Sequence, residues 1–137
     1  KNNLLYFGGL HPTTHKSREN LKDILVNFKQ CEKLHFDKYL EKLKTYKFHI
    51  SPPGKGVDTH RCWETLLCGC IPILLKSNFD VLFNDLPVLI VEDYSMINED
   101  YLNKNYDRLI NKKYNFKKLY TKYWDDEIEN TLINFEK

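Results

Sequence analysis

The feature that most constrains the fold is a series of short apolar runs separated by longer amphipathic segments. These runs are residues 4–7, 47–51, 71–75 and 87–91. Continuous runs of this length, bounded by glycine, proline or polar residues, indicate strands that are buried on both faces. Such strands are typical of a parallel sheet that is covered by helices on each side.

Helices are predicted between and after these strands. Apolar residues recur at the spacing of one helix face over residues 21–28 and again over residues 36–46. A third helix is predicted from Asp58 or Thr59 to Gly69, with a buried stripe of Trp63, Leu66, Leu67 and Cys70. A helical turn over 79–82 and helices over 97–111, 116–123 and 127–135 follow, whereas 30–35 fit either a short strand or a loop. This order predicts one α/β domain over residues 1–137.

Composition and charge exclude several classes of protein. The 21 basic and 19 acidic residues leave a net charge of +2, which is too small to indicate a nucleic-acid partner. The lysines between residues 112 and 122 alternate with tyrosines and other residues and indicate a solvated helix face. No uncharged apolar stretch comes near the roughly 18 residues that a membrane-spanning helix needs, so no membrane segment is predicted.

The cysteines bear on the cellular compartment. Cys31, Cys62, Cys68 and Cys70 have neither the spacing of a zinc site nor that of a redox pair. Their apolar surroundings indicate buried, reduced thiols, which favours a reducing compartment. With no leader at the start of the sequence, this usage leans towards the cytoplasm; a Golgi-lumenal enzyme whose anchor lies outside these residues fits equally.

The most informative segment is the loop and helix over residues 51–70. The preceding strand runs into a loop that contains Gly54 and Gly56, and a helix begins near Asp58. In open parallel sheets, ligands bind where strands lead into helix N-termini, whose unpaired N–H groups suit a phosphate. Glycines let the backbone approach such a ligand closely. The segment is therefore a candidate anion site, although many loops of this type bind nothing.

Glu64 is the candidate ligand of a sugar. It lies in the first two turns of the predicted helix and shares a face with His60, four residues earlier. A carboxylate placed there can accept hydrogen bonds from two adjacent sugar hydroxyls. The alternative is an ion pair of Glu64 with His60 or Arg61 that stabilises only the helix.

Residues 53–73 resemble the donor-site segment of exostosin-like, GT47-type glycosyltransferases. The resemblance rests on Pro-Gly-Lys-Gly-Val-Asp-Thr-His-Arg from residue 53, on Trp63-Glu64, and on Gly-Cys-Ile-Pro-Ile from residue 69. Residues 85–91 and the opening Tyr-Phe-Gly-Gly from residue 6, followed by Arg18, extend it over roughly positions 4–110. Within this family, the sequence most resembles the branch that includes ribitol xylosyltransferases and related viral and algal enzymes.

The resemblance implies a GT-B-type glycosyltransferase, of which this chain is the C-terminal, Rossmann-like half that holds a nucleotide-diphosphate sugar. It implies that the N-terminal half, which binds the glycan acceptor, lies outside these residues. UDP-xylose or another UDP-sugar is the implied donor. The resemblance implies neither a cofactor nor a metal ion.

The resemblance also implies roles for single residues. Glu64 would bind the nucleotide ribose, and Arg18 with Arg61 would neutralise the departing diphosphate, for which the planar guanidinium is well suited. The full donor-binding set comprises Arg18, Gly54, Lys55, Gly56, Asp58, Thr59, His60, Arg61 and Glu64.

Position 72 bears on the stereochemistry of transfer. Many retaining GT-B enzymes carry a second glutamate eight residues after the first, and this chain has Pro72 there, which favours inverting transfer. Inverting transfer needs a general base, which in two-domain GT-B enzymes usually comes from the N-terminal half. Within this chain, the catalytic residue is left unassigned, and His11 and His15 in the loop after the first strand are weak candidates. Two alternatives to a transferase stay open: a non-catalytic module for protein interaction and a stand-alone nucleotide- or phosphate-binding regulator.

Overall fold

A four-stranded parallel sheet forms the centre of the protein, for which a computed structural model describes residues 1–10 and 15–136. The strands are β1 (Asn3–Tyr6), β2 (Tyr46–Ile50), β3 (Ile71–Leu75) and β4 (Leu89–Val91). They pair in the order β1-β2-β3-β4, and every pair is parallel. The predicted α/β, Rossmann-like fold class is therefore confirmed.

Five α-helices accompany the sheet in the described residues. They are α1 (Leu21–Ile24), α2 (Phe36–Leu43), α3 (His60–Leu67), α4 (Glu99–Ile110) and α5 (Thr121–Phe135). Short 3-10 turns cover Lys16–Arg18, Asp80–Phe83, Tyr94–Met96 and Phe116–Leu119. The prediction of two helices over 116–123 and 127–135 is wrong, since one helix runs without a break from Thr121 to Phe135.

Both faces of the sheet are buried, as the continuous apolar strands predict. On one face, Phe48 and Ile73 belong to a core that includes α1 and α4 residues such as Leu21 and Leu102. On the other face, Leu74 packs with α3 and with the turn at Asp80–Phe83. This arrangement leaves the ends of the strands as the places where loops can form a site.

The buried stripe predicted for α3 is partly wrong. Leu66 is buried, but Leu67 is 67% exposed, and the buried positions beside Leu66 are Cys62 and Thr65. Trp63 is half-buried, stacks on Phe83 and donates a hydrogen bond to a loop carboxylate. The helix is therefore rotated relative to the prediction, so that a threonine faces the sheet.

The chain changes direction across the sheet at β1. Beyond the end of β1, Gly8 forms a parallel bridge with Cys31, whose N–H donates to the Phe7 carbonyl at 2.6 Å. Because β2 occupies one edge of β1, this bridge extends the pairing on the other edge. Residues 30–35, which the sequence left open between strand and loop, therefore contribute one bridged residue. Cys31 therefore lies on one edge of β1 and β2 on the other. A crevice forms beyond the end of β1, between the connections to these two neighbours. This position is the topological switch point of the sheet, where open α/β sheets bind ligands.

No helix among the described residues is long and apolar enough to cross a lipid bilayer. The four cysteines are free thiols, of which Cys62 and Cys70 are buried and Cys31 and Cys68 are half-buried. Burial raises the pKa of the Cys70 thiol to about 12, so this group is protonated at neutral pH.

Candidate functional site

A cavity of about 370 Å³ lies at the crevice beyond β1 and β2. One side is formed by the residues that follow β1, another by the first turns of α3, and a third by the start of α2. The lining residues are Tyr6, Gly8, Gly9, Arg18, Lys33, Leu34, Phe36, Tyr39, Thr59, His60, Arg61 and Glu64. With Arg18 as a further contributor, the cavity brings together four segments that are separate in the sequence.

Arg61 ties α3 to the backbone that follows β1. Its Nη1 donates to the Gly8 carbonyl at 3.1 Å and to Nε2 of His49 at 3.2 Å. Its Nη2 donates to the Gly9 carbonyl at 3.0 Å. The guanidinium is therefore held in one orientation at the wall of the cavity by three acceptors.

His49 is the buried centre of this network. Arg61 can only donate, so His49 Nε2 accepts, and the ring proton must lie on Nδ1. Nδ1 then donates to the Thr65 hydroxyl at 2.6 Å, and that hydroxyl donates to the Arg61 carbonyl. Burial, and secondly the charge of Arg61, hold the pKa of the fully buried His49 well below its usual value. The imidazole is neutral and has a structural role.

We expect His49 to make the fold less stable in mild acid. Below the ordinary histidine pKa of about 6.5, the unfolded chain binds a proton at His49 that the folded ring does not bind. Since the unfolded state then holds more protons, the free energy of unfolding falls by up to about 1.4 kcal/mol per pH unit below about pH 6.5. The decline ends where the pH reaches the lowered pKa of the folded state.

Urea unfolding of the wild type and of His49→Gln, measured from neutral pH downwards, checks this expectation. The glutamine variant is less stable at neutral pH but lacks the titrating group, so its stability should fall less steeply in acid. The difference between the two curves should be constant above about pH 7 and shrink below about pH 6.5. Parallel curves over the whole range would contradict the assignment of a neutral His49.

Arg18 approaches the same cavity from the turn at Lys16–Arg18. Its Nε donates to the Pro53 carbonyl at 2.7 Å, and its Nη2 donates to the Pro52 carbonyl at 3.1 Å. A Cβ atom at Gly54 would lie 3.1 Å from this Nη2, so the absence of a side chain gives the guanidinium room. Burial, and secondly the like charge of Arg61, lower the pKa of Arg18. The two guanidinium groups are therefore electrostatic neighbours.

Glu64 lies one turn beyond Arg61 on α3 and is half-buried at the cavity. Within residues 1–10 and 15–136, it forms no ion pair with His60 or Arg61. Tyr39 lines the same cavity. Burial raises the pKa of its phenol, Arg61 opposes the rise, and Glu64 adds to it. The Tyr39 hydroxyl is buried and has no hydrogen-bond partner among the described residues, so no hydrogen bond joins it to the carboxylate.

The structure brings together only part of the predicted donor-binding set. Arg18, Thr59, His60, Arg61 and Glu64 line the cavity. Lys55, Gly56 and Asp58 are exposed on the loop before α3, and with Gly54 they lie outside the cavity lining. Asp58 accepts a hydrogen bond from the Trp63 indole at 2.6 Å.

Thr59 occupies the N-cap position of α3, yet its hydroxyl caps no helical N–H and is buried without a hydrogen-bond partner among the described residues. His15 bonds to Ser17, with its Nδ1 2.6 Å from the hydroxyl, and does not line the cavity. His11 lies outside the described residues.

Sequence reasoning missed the wall that α2 contributes. Phe36 and Tyr39 of α2 line the cavity, together with Lys33 and Leu34 just before it. The centre of the Tyr39 ring lies 5.8 Å from Arg61 Cζ. The local sequence of residues 33–39 does not indicate this role, because the role depends on the bridge between Gly8 and Cys31. The available indication lies in residues 30–35, which fit either a short strand or a loop. A strand there, paired with β1, predicts a switch point beside it.

The fold and the cavity at the switch point define a Rossmann-like α/β domain with a cationic crevice beyond its strands. Residues 1–98 match the Exostosin GT47 domain, and the chain therefore belongs to the exostosin GT47 family of glycosyltransferases. It is also similar to a protein of Arabidopsis thaliana that is named a probable glycosyltransferase, with 33% identity over 69 residues. That match covers 50% of this chain and 14% of the Arabidopsis protein.

Proposed function

We propose that this domain binds the nucleotide-diphosphate sugar that serves as donor in a glycosyl transfer. The observation that carries the proposal is the cavity at the switch point, where Arg18, Arg61 and Glu64 come together. Membership of the exostosin GT47 family supports a glycosyltransferase, while the position and charge of the cavity support the donor as its ligand.

The two arginines suit a diphosphate for an electrostatic reason. Both guanidinium groups line the cavity, and the like charge of Arg61 adds to burial in lowering the pKa of Arg18. A dianionic group between them would relieve this repulsion and accept charge-assisted hydrogen bonds. Of the five N–H donors of Arg61, three make the bonds to Gly8, Gly9 and His49, which leaves two for a ligand.

Glu64 suits the ribose of the same nucleotide. A carboxylate that forms no ion pair with the neighbouring cationic residues can accept hydrogen bonds from two adjacent hydroxyls. It lies one helical turn from Arg61, so a ribose bound there would remain connected to a diphosphate at the arginines. These placements support the roles implied by the resemblance for Arg18, Arg61 and Glu64.

In the reaction we propose, the sugar carbon bonds to an acceptor hydroxyl as its bond to the diphosphate breaks. Arg18 and Arg61 stabilise the negative charge that develops on the departing diphosphate. The proline at position 72 supports the inverting course, in which a general base removes the acceptor proton. His15 lies outside the cavity lining, which gives no support to His15 as this base.

The proposal extends to the identity of the donor sugar and of the acceptor. The resemblance to ribitol xylosyltransferases favours UDP-xylose among the UDP-sugars and a glycan hydroxyl as acceptor. The chain spans 14% of the Arabidopsis relative, so we assign it donor binding and leave acceptor binding to residues outside it.

We expect UDP at millimolar concentration to shift the backbone amide NMR signals of residues 8–9 and 59–64. Replacement of Glu64 by alanine should weaken UDP binding about tenfold, since a hydrogen bond to a charged group contributes about 1.5–3 kcal/mol. Titration of the wild type and the variant by NMR measures both effects. UDP-xylose and other UDP-sugars, titrated in parallel, test the donor.

Arg108→Ala is the matched control for this experiment. Arg108 is exposed on α4, bonds only to Asn105 among the described residues, and lies away from the cavity. Its replacement should leave the UDP titration unchanged. Wild-type spectra without shifts at millimolar UDP would refute donor binding and favour a module for protein interaction. Equal affinity for UDP and every UDP-sugar would favour a nucleotide-binding regulator.

A further inference from the structure

The cavity has two chemically different walls. One part of the lining is cationic and comes from Arg18 and from Arg61 on α3. Another part comes from the beginning of α2, where Phe36 and Tyr39 contribute aromatic rings; we call these two residues the aromatic wall. Their ring centroids are 6.3 Å apart, with an angle of 38° between the planes.

Groups of different chemistry share this cavity. Arg18, Arg61 and Glu64 line it together with Phe36 and Tyr39. Arg61 Cζ lies 5.8 Å from the centre of the Tyr39 ring, and the Phe36 ring centre lies 6.3 Å from that same ring centre. The cavity therefore combines two guanidinium groups, a carboxylate and a pair of aromatic rings.

A nucleoside diphosphate carries the complementary groups. Its diphosphate is anionic, its ribose presents adjacent hydroxyls, and its base is a flat ring that stacks on aromatic side chains. With the diphosphate at the arginines and the ribose at Glu64, the aromatic wall is the part of the lining that suits the base. Of the two rings in this wall, Phe36 is 57% exposed, whereas Tyr39 is more buried.

Phe36 stands at a defined place on the backbone. It is the first residue of α2, and His35 before it has the extended backbone of an N-cap residue. The exposed ring therefore projects from a helix end at the cavity. An exposed phenylalanine alone does not indicate a binding site, since single apolar residues are common on protein surfaces. Phe36 does indicate one, because it lines the cavity.

We propose that Phe36 is the stacking platform for the nucleobase of the donor. This inference rests on the proposed donor binding and extends it to a residue outside the predicted donor set. The ring holds the base by contact with its face, so it contributes to affinity for a nucleotide and not for a diphosphate alone.

The test compares two ligands across four proteins. UDP and inorganic pyrophosphate are titrated by NMR into the wild type, Phe36→Ala, Phe36→Tyr and Phe79→Ala. Phe79 is the matched control, because it is 53% exposed and does not line the cavity. Phe36→Tyr keeps an aromatic face. The chemical shifts of the uracil protons provide a direct readout of stacking through the ring current.

We expect Phe36→Ala to weaken UDP binding about tenfold and to leave pyrophosphate binding unchanged within about twofold. Phe36→Tyr and Phe79→Ala should bind UDP like the wild type, and the upfield shift of the bound uracil protons should diminish only in Phe36→Ala. Unchanged UDP affinity in Phe36→Ala would overturn the stacking assignment and leave donor binding intact. Equal weakening of UDP and pyrophosphate would also overturn it. Failure of the wild type to bind UDP would instead refute the proposed function.

Discussion

Replacing Gly8 with alanine is expected to lower the free energy of unfolding by about 3 kcal/mol. A Cβ atom at this position would overlap the carbonyl oxygen of Cys31. Because the obstacle is backbone and not the flexible end of a side chain, the bridge between Gly8 and Cys31 has to open. The hydrogen bond from Cys31 to Phe7 is then lost as well.

Urea unfolding of Gly8→Ala and of the control Gly56→Ala measures this effect. A Cβ atom at Gly56 would meet only the Asp58 carbonyl oxygen at 3.5 Å, which is an ordinary contact. The control should therefore unfold within about 0.5 kcal/mol of the wild type, as expected for an exposed position. Similar stabilities for the two variants would show that residue 31 can move away from β1 without loss.

Replacing Arg61 with methionine is expected to lower the free energy of unfolding by about 2–3 kcal/mol and to abolish UDP binding. Methionine preserves much of the apolar stem but donates no hydrogen bond. The carbonyls of Gly8 and Gly9 and the Nε2 atom of the buried His49 all lose their donor. Arg61→Lys should recover less than half of the lost stability, because a single ammonium cannot reproduce the planar arrangement of donors.

Urea unfolding and UDP titration of these Arg61 variants, with Arg108→Ala beside them, check both parts of the expectation. Titrations are carried out below the unfolding temperature of each variant, so that loss of binding is not confused with loss of folding. A fully stable Arg61→Lys would contradict the role of the guanidinium as a three-way donor. Normal UDP binding by Arg61→Met would contradict its place in the site.

The sequence predicts the sheet better than it predicts the helix ends. The strand over 71–75 has the predicted bounds, because a continuous apolar run between glycine and lysine has no competing structure. The helix predicted over 21–28 ends after one turn at Ile24, although Leu21 and Leu25 are buried as their spacing indicates. Packing against the sheet fixes the apolar face, while the local ends depend on contacts that are distant in the sequence.

In the site, too, features that depend on the local sequence were predictable, and features that depend on distant contacts were not. Thr59, His60, Arg61 and Glu64 are contiguous, so one loop and helix signal predicted them together, and they share the cavity. The aromatic wall escaped prediction because a contact between residue 31 and β1 places it there. The fixed orientation of Arg61 likewise depends on its bond to His49 of β2, a contact that the local sequence around residue 61 does not indicate.

The two walls of the cavity are attached to the protein in different ways, and this difference has an evolutionary consequence. Arg61 is bonded into the buried network of His49 and Thr65, whereas Phe36 projects from the surface at the end of a helix. Mutation at the surface position leaves the core intact, so selection is free to try new side chains there. A lineage carrying this domain can thus change which compound it prefers while inheriting the same scaffold.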